Sequence, residues 1–141
     1  MSRSRILIAV RSLQTAEKMA AMVSDLADRL EARVLVVHVA HLHEDDNTET
    51  DARQRGDQTL RFVADRLESA GVEVEAMMLF SDDIAKAILK TAAAHDCTVI
   101  ILGLTGKGVL KRLIEGNVPG NILKSSPIPV MVCPEIWEGL L

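Results

Sequence analysis

Ile6–Val10 and Val34–Val39 are short, nearly unbroken apolar runs rich in Val and Ile. They are too short for ordinary buried helices and lack the alternation of a half-solvated strand. They therefore read as strands covered on both faces, which is the pattern of a parallel sheet flanked by helices. Between them Ala16, Met19, Ala20, Val23, Leu26, Ala27 and Leu30 recur at steps of three and four. That spacing predicts one apolar helix face, with Glu17, Lys18, Asp25 and Arg29 outside it. Ser12 or Thr15 is placed to cap its start. Strand, helix and strand with short connections predict a right-handed parallel crossover.

The alternation continues along the chain. Residues His41–Asp57 are polar and without apolar period, and read as a loop. Helical spacing returns at Leu60, Val63, Ala64 and Leu67, and Gly71 is placed to end that helix. Val72–Phe80 reads as a third strand, half exposed at an edge, with Glu73 and Glu75 pointing one way. Ser81-Asp82-Asp83 caps a helix running to about His95, with Ile84, Ala87, Ile88 and Ala92 inside. Thr98–Leu102 is a fourth strand. Val118–Ser125 is a short helix that tolerates Pro119 in its first turn. Pro127 and Pro129 stop it before a last strand, Pro129–Cys133. The expected fold is one α/β domain over residues 1–141, a single-layer five-stranded parallel sheet with helices on both faces. It is Rossmann-like, with strand order 3-2-1-4-5.

Composition narrows the function classes. Net charge is −4, from 16 basic and 20 acidic residues, which argues against general nucleic-acid affinity. Two Phe, one Trp and no Tyr leave no aromatic platform for stacking bases. Arg3 and Arg5 lead into an apolar run too short for a secretory leader, and no stretch approaches the ~20 apolar residues of a membrane span. Cytoplasmic residence without a membrane partner is expected. Cys97 and Cys133 each border an apolar run and read as buried free thiols.

The fourth strand ends in Gly103-Leu-Thr-Gly106, and Gly116-Asn117 follows before the short helix. Glycine lets backbone turn sharply and approach a ligand, and a helix start offers unpaired N–H groups with a partial positive charge. An anion site is thus expected here. It is not a Walker loop: Lys107 follows Gly106, but Ile101 stands at the upstream glycine position and Gly108 at the hydroxyl position. Nor is there a G-x-G-x-x-G fingerprint. In such sheets ligands settle beyond the carboxyl ends of the strands, where the strand order reverses. Arg11 and Ser12 would then lie across a crevice from Gly103 and Gly106, with His38 and Val39 as the neighbouring wall.

Ile100–Val132, reading IILGLTGKGVLKRLIEGNVPGNILKSSPIPVMV, resembles the universal stress protein family, as do Ile8-Ala9-Val10 and Val36-Val37-His38-Val39. The resemblance covers nearly the whole chain. Its nucleotide-binding subset carries Gly-x2-Gly-x9-Gly followed by Ser or Thr, and Gly103, Gly106 and Gly116 match the glycines. The resemblance implies ATP or a related adenine nucleotide, with magnesium, in a homodimer paired through the final strand Pro129–Cys133. It places the phosphates at Gly103, Gly106 and Gly116, and the adenine and ribose against Ala9, Val39 and Leu102; Val10, Arg11, Asn117 and Val118 are the further candidate binding residues. Three positions depart from it. The acid expected after the first strand is Arg11, the hydroxyl after the third glycine is Asn117, and a second hydroxyl position holds Pro119. One charged and two neutral hydrogen bonds lost would weaken binding by about 2.5–6 kcal/mol, or two to four decades. The alternative reading is a dimeric interaction protein of the same fold that binds no nucleotide.

Other clusters read blandly. His38, His41 and His43 do not share a strand face and suit chelation poorly. Glu44-Asp45-Asp46 lacks the periodic oxygens of a calcium loop. Lys107 and Lys111 share a helical face near the anion site, beside Arg112. No G-x-S-x-G or H-E-x-x-H is present, and Arg11 stands where a response regulator would need a carboxylate. Nothing is placed to activate water for ATP hydrolysis.

Overall fold

The computed structural model describes residues 4–11, 13–40, 48–103 and 118–134. Its strands are β1 (Arg5–Ala9), β2 (Arg33–Ala40), β3 (Val74–Phe80), β4 (Val99–Gly103) and β5 (Val130–Cys133). The helices described are α1 (Leu13–Leu30), α2 (Thr48–Ser69), α3 (Ile84–Ala94) and α4 (Val118–Ser125). All the described strands pair in parallel, as the alternating pattern predicts, in the expected order β3-β2-β1-β4-β5. The central strand β1 is in register with both neighbours: Ile8 lies opposite Val36 on β2 and Ile101 on β4.

Two apolar layers sandwich the sheet. On one face Ile6, Ile8, Val34, Val36 and Ile101 meet Ala16, Met19 and Val23 of α1 and Leu60, Val63 and Leu67 of α2. On the other, Leu7, Leu35, Val37, Ile100 and Leu102 meet Ala85, Ile88 and Ala92 of α3 and Ile122 of α4. Both faces of the inner strands are thus covered, which is why their sequences are unbroken apolar runs. Leu30 departs from its expected inward place. It is 44% exposed, in the last turn of α1 where the chain turns away.

The largest correction concerns residues 48–57, which were expected to be loop and form the first half of α2. That half is anchored by small or polar residues in place of leucines. Gly56 is buried against β2 and β3, and Thr59 is buried with its hydroxyl donating to the Arg55 carbonyl at 2.9 Å. A hydrophobic period cannot register such a face. Arg53 adds a cation–π contact over Phe80 at 5.1 Å. Arg66 bridges the two helices through Glu17 at 3.1 Å.

The first three helices end alike. Glu31 (φ 52°), Gly71 (φ 84°) and Asp96 (φ 54°) all take the left-handed conformation. In each case the next N–H bonds five residues back: Ala32 to Ala27, Val72 to Leu67 and Cys97 to Ala92, at 2.8–3.0 Å. This is the Schellman closure, for which glycine is the least strained residue. At the start of α3, Asp83 caps as expected, its carboxylate accepting from the Lys86 N–H at 3.0 Å. The cap position of α1 falls at residue 12, outside the described residues, and Thr15 lies within the helix.

Candidate functional site

The carboxyl ends of β2, β1 and β4 lie side by side at the point where strand order reverses. In open α/β sheets that is where ligands enter. The main-chain geometry there follows from one histidine. β1 pairs with β2 through Ala9, opposite Val37, and the Val10 N–H extends the ladder by one bond to the Val37 carbonyl at 2.9 Å. The Val10 carbonyl is then taken by the His38 ring, with Nδ1 at 2.9 Å. A carbonyl only accepts, so Nδ1 carries the proton and donates.

That bond changes what the end of β2 offers. Successive residues of a parallel strand direct their backbone groups to alternate neighbours. Val34 donates to the Glu73 carbonyl and Ala40 accepts from the Ser81 N–H, both on the β3 side, whereas Val37 serves β1. Val39 is therefore in phase with Val37 and faces β1. Among the described residues no ladder bond joins Val39 to Val10, whose carbonyl is already occupied. Among the described residues neither the Val39 N–H nor its C=O has a backbone partner on the β1 side.

Beside them lies an apolar lining. Ala9, Val39 and Val118 pack against the same cluster as Leu102, on the α3–α4 side of the sheet, and Ala9 is in register with Leu102. Ala9, Val39, Leu102 and Val118 thus share one face of the sheet. The Val10 side chain is turned the other way, into the α1–α2 layer, so only its backbone belongs to this region. Gly103 ends β4, opposite Cys133 of β5. A β-carbon on Gly103 would lie 2.7 Å from Met19 Sδ, so that position is crowded on its α1 side. Arg11 is exposed at the exit of β1. Gly106, Gly116 and Asn117 lie outside the described residues, as do Ser12, His41, His43, Glu44, Asp45, Asp46, Lys107, Lys111 and Arg112.

His38 is the residue whose part here was least evident from the sequence. Its environment was prepared elsewhere in the chain: a β-carbon on Gly56 would come within 2.8 Å of His38 Nε2 and of Met78 Cε. Glycine in the middle of a helix is unfavourable by propensity, and its presence in α2 is the signal that a ring needs that space.

Cys97 and Cys133 are buried free thiols. Burial pushes both upward from the ordinary thiol range; at Cys97 the Arg5 cation opposes that shift and Asp96 adds to it. At both, desolvation outweighs any such help, opposite to the setting of a reactive thiolate. No cluster of His, Cys, Asp and Glu suited to a metal ion occurs among the described residues. No described helix is long and apolar enough to cross a membrane. A shallow cleft of about 230 Å³ lies at the other end of the sheet, lined by Arg5, Arg33, Glu73, Glu75 and Cys97 among others.

Comparison with known proteins agrees with this architecture. The model of the universal stress protein family matches residues 2–134. A universal stress protein of Thermus aquaticus is 27% identical over 131 residues, covering 90% of this chain and 96% of that protein. One from Methanocaldococcus jannaschii is 30% identical over 80 residues, which span 57% of this chain and 46% of the relative. The structure of the universal stress protein from Archaeoglobus fulgidus in complex with dAMP superposes with TM-score 0.71 at 20% identity, covering 94% of this chain and 98% of that one. A universal stress protein family protein from Arabidopsis thaliana with AMP bound has TM-score 0.65 at 17% identity, covering 93% and 91%. At those identities the likeness is one of fold. With the family model spanning nearly its whole length, the chain belongs to the universal stress protein family.

Proposed function

We propose that this protein binds an adenine nucleotide in the crevice at the carboxyl ends of β2, β1 and β4. The carrying observation is that the Val39 N–H and C=O, on the β1 side of β2 and beside the apolar lining, have no backbone partner among the described residues, while the Val10 carbonyl bonds His38. Adenine is a flat ring with a donor and an acceptor along one edge. It suits a slot of small aliphatic side chains with a matching backbone pair better than an aqueous mouth would. The 5′-phosphates then lie towards the end of β4 at Gly103, with Gly106, Gly116, Asn117 and Val118 as the expected cradle. Magnesium would accompany a di- or triphosphate as its chelate. The complexes with dAMP and AMP among fold relatives support the ligand class. The role that follows is that of a nucleotide-responsive regulatory module.

Isothermal calorimetry with ATP and magnesium, ADP and AMP tests this reading. Saturable heat from any of them supports it, and silence at millimolar ligand contradicts it.

A homodimer through β5 is part of the proposal. β5 is a sheet edge whose Val130, Met131 and Val132 remain only half buried in the single chain. A bare hydrophobic edge is a template for pairing. The same edge favours a second reading, a dimeric interaction protein without a nucleotide, for which Pro119 in the first turn of α4 also speaks, having neither hydroxyl nor N–H to offer a phosphate.

A further inference from the structure

We propose that the preferred ligand carries a second phosphate, on the 2′ or 3′ oxygen of its ribose, and that Arg11 receives it. The inference rests on the nucleotide reading above and specifies the ligand class for that same site.

β2, β1 and β4 are consecutive in the sheet, so their ends are spaced by about 4.8 Å each. A nucleotide whose base meets Val39 on β2 and whose 5′-phosphate reaches Gly103 on β4 spans about 9–10 Å across the sheet. Its ribose must then lie over the end of β1. The residue leaving that end is Arg11. Its Cα is held in place because the preceding residue is tied through both backbone groups, the Val10 N–H to Val37 and the Val10 carbonyl to His38.

The chemistry of that position decides what the ribose can carry. A bare ribose presents hydroxyls that are best recognised by an acceptor such as a carboxylate, whereas a guanidinium has five donors and no acceptor. Its planar fork matches a phosphate. The same exchange of acid for arginine separates dinucleotide sites that take a 2′-hydroxyl from those that take a 2′-phosphate. Among the described residues the charge of Arg11 is also uncommitted. Arg29, Arg33, Arg61 and Arg66 each pair with a carboxylate, while Arg11 is exposed and makes no ion pair or hydrogen bond with any other described residue. A second phosphate would supply a partner that no described residue provides.

The test is calorimetry at one fixed ionic strength with 5′-AMP, adenosine 2′,5′-bisphosphate and adenosine 3′,5′-bisphosphate. It uses the parent protein, Arg11→Lys and Arg11→Asp, with circular dichroism and melting curves to verify that each variant is folded. The parent is expected to bind one bisphosphate at least about tenfold more tightly than 5′-AMP. Arg11→Lys should keep a reduced preference, and Arg11→Asp should reverse it in favour of 5′-AMP. Equal affinities in the parent, or a ratio unmoved by Arg11→Asp, would overturn the role of Arg11 and leave the nucleotide site standing. A silent parent whose Arg11→Asp variant binds 5′-AMP would overturn both the role of Arg11 and nucleotide binding by the parent protein. Absence of binding by all three proteins to all three compounds would overturn both readings.

Discussion

Met19 Sδ occupies the space that a β-carbon on Gly103 would enter, at a separation of 2.7 Å. The glycine that ends β4 is therefore packed closely against α1, whatever its role towards a ligand. Gly103→Ala is expected to destabilise the fold by about 1–3 kcal/mol, the usual range for overpacking. Pairing it with Met19→Ala should recover part of that loss in a double-mutant cycle followed by urea denaturation. Additive costs in the cycle would show that the two residues do not compete for this space.

Gly56 makes a second prediction against propensity. On an open helix surface Gly→Ala stabilises by about 1 kcal/mol. Here the new methyl would meet His38 Nε2 and Met78 Cε at 2.8 Å. Gly56→Ala should therefore lower stability in chemical denaturation. It should also shift the imidazole resonances of His38, because the ring that holds the Val10 carbonyl is displaced. A stabilised protein with an unmoved His38 would refute the packing.

Glu31 closes α1 at φ 52°, in a conformation that costs a non-glycine residue about 1–2 kcal/mol. Glu31→Gly relieves that strain but adds freedom to the unfolded chain. A net gain of about 0.5–1 kcal/mol in denaturant midpoint measurements is expected. Asp96→Gly should gain less, since a short polar side chain tolerates the left-handed region better.

The buried thiols set an alkaline limit. Cys97 and Cys133 are pushed above their ordinary value of 9.0, chiefly by desolvation. A folded-state pKa above the unfolded one means that the folded form favours the protonated thiol. That contribution is fully present below about pH 9 and is lost as pH rises through the folded-state values. Melting temperature should fall in that range more steeply for the parent than for a Cys97→Ala/Cys133→Ala double variant. Near neutrality both thiols should react with a thiol reagent only on unfolding.

Met131 lies half buried in the edge strand β5. If that edge pairs with a second copy, Met131→Lys should shift sedimentation towards monomer while leaving the circular dichroism unchanged. A dimer that persists would place the contact elsewhere.

Much of this fold is legible because buried parallel strands and amphipathic helices have different periods. The runs at Ile6–Val10 and Val34–Val39 declare strands covered on both faces, and alternation with helices declares a parallel sheet. Legibility fails where packing relies on small residues. The first half of α2 faces the sheet through Gly56 and Thr59, which carry no hydrophobic period, so residues 48–57 read as loop. Helix ends are equally uneven. Gly71 declares its left-handed closure, while Glu31 and Asp96 adopt the same geometry without a compositional sign. In the crevice the apolar lining of Ala9, Val39 and Leu102 follows from strand ends and resemblance. The His38 bond to Val10 does not, because it joins residues 28 positions apart through a ring nitrogen and a main-chain oxygen.

The central claim is that the backbone of Val39 faces a nucleotide across the end of β1. The most direct measurement is the ¹⁵N-edited amide spectrum of the protein titrated with 5′-AMP and with the adenosine bisphosphates. Saturable movement of the Val39 amide, accompanied by Arg11 and Gly103, is the predicted result. Spectra in which those amides stay fixed at millimolar ligand would contradict the account.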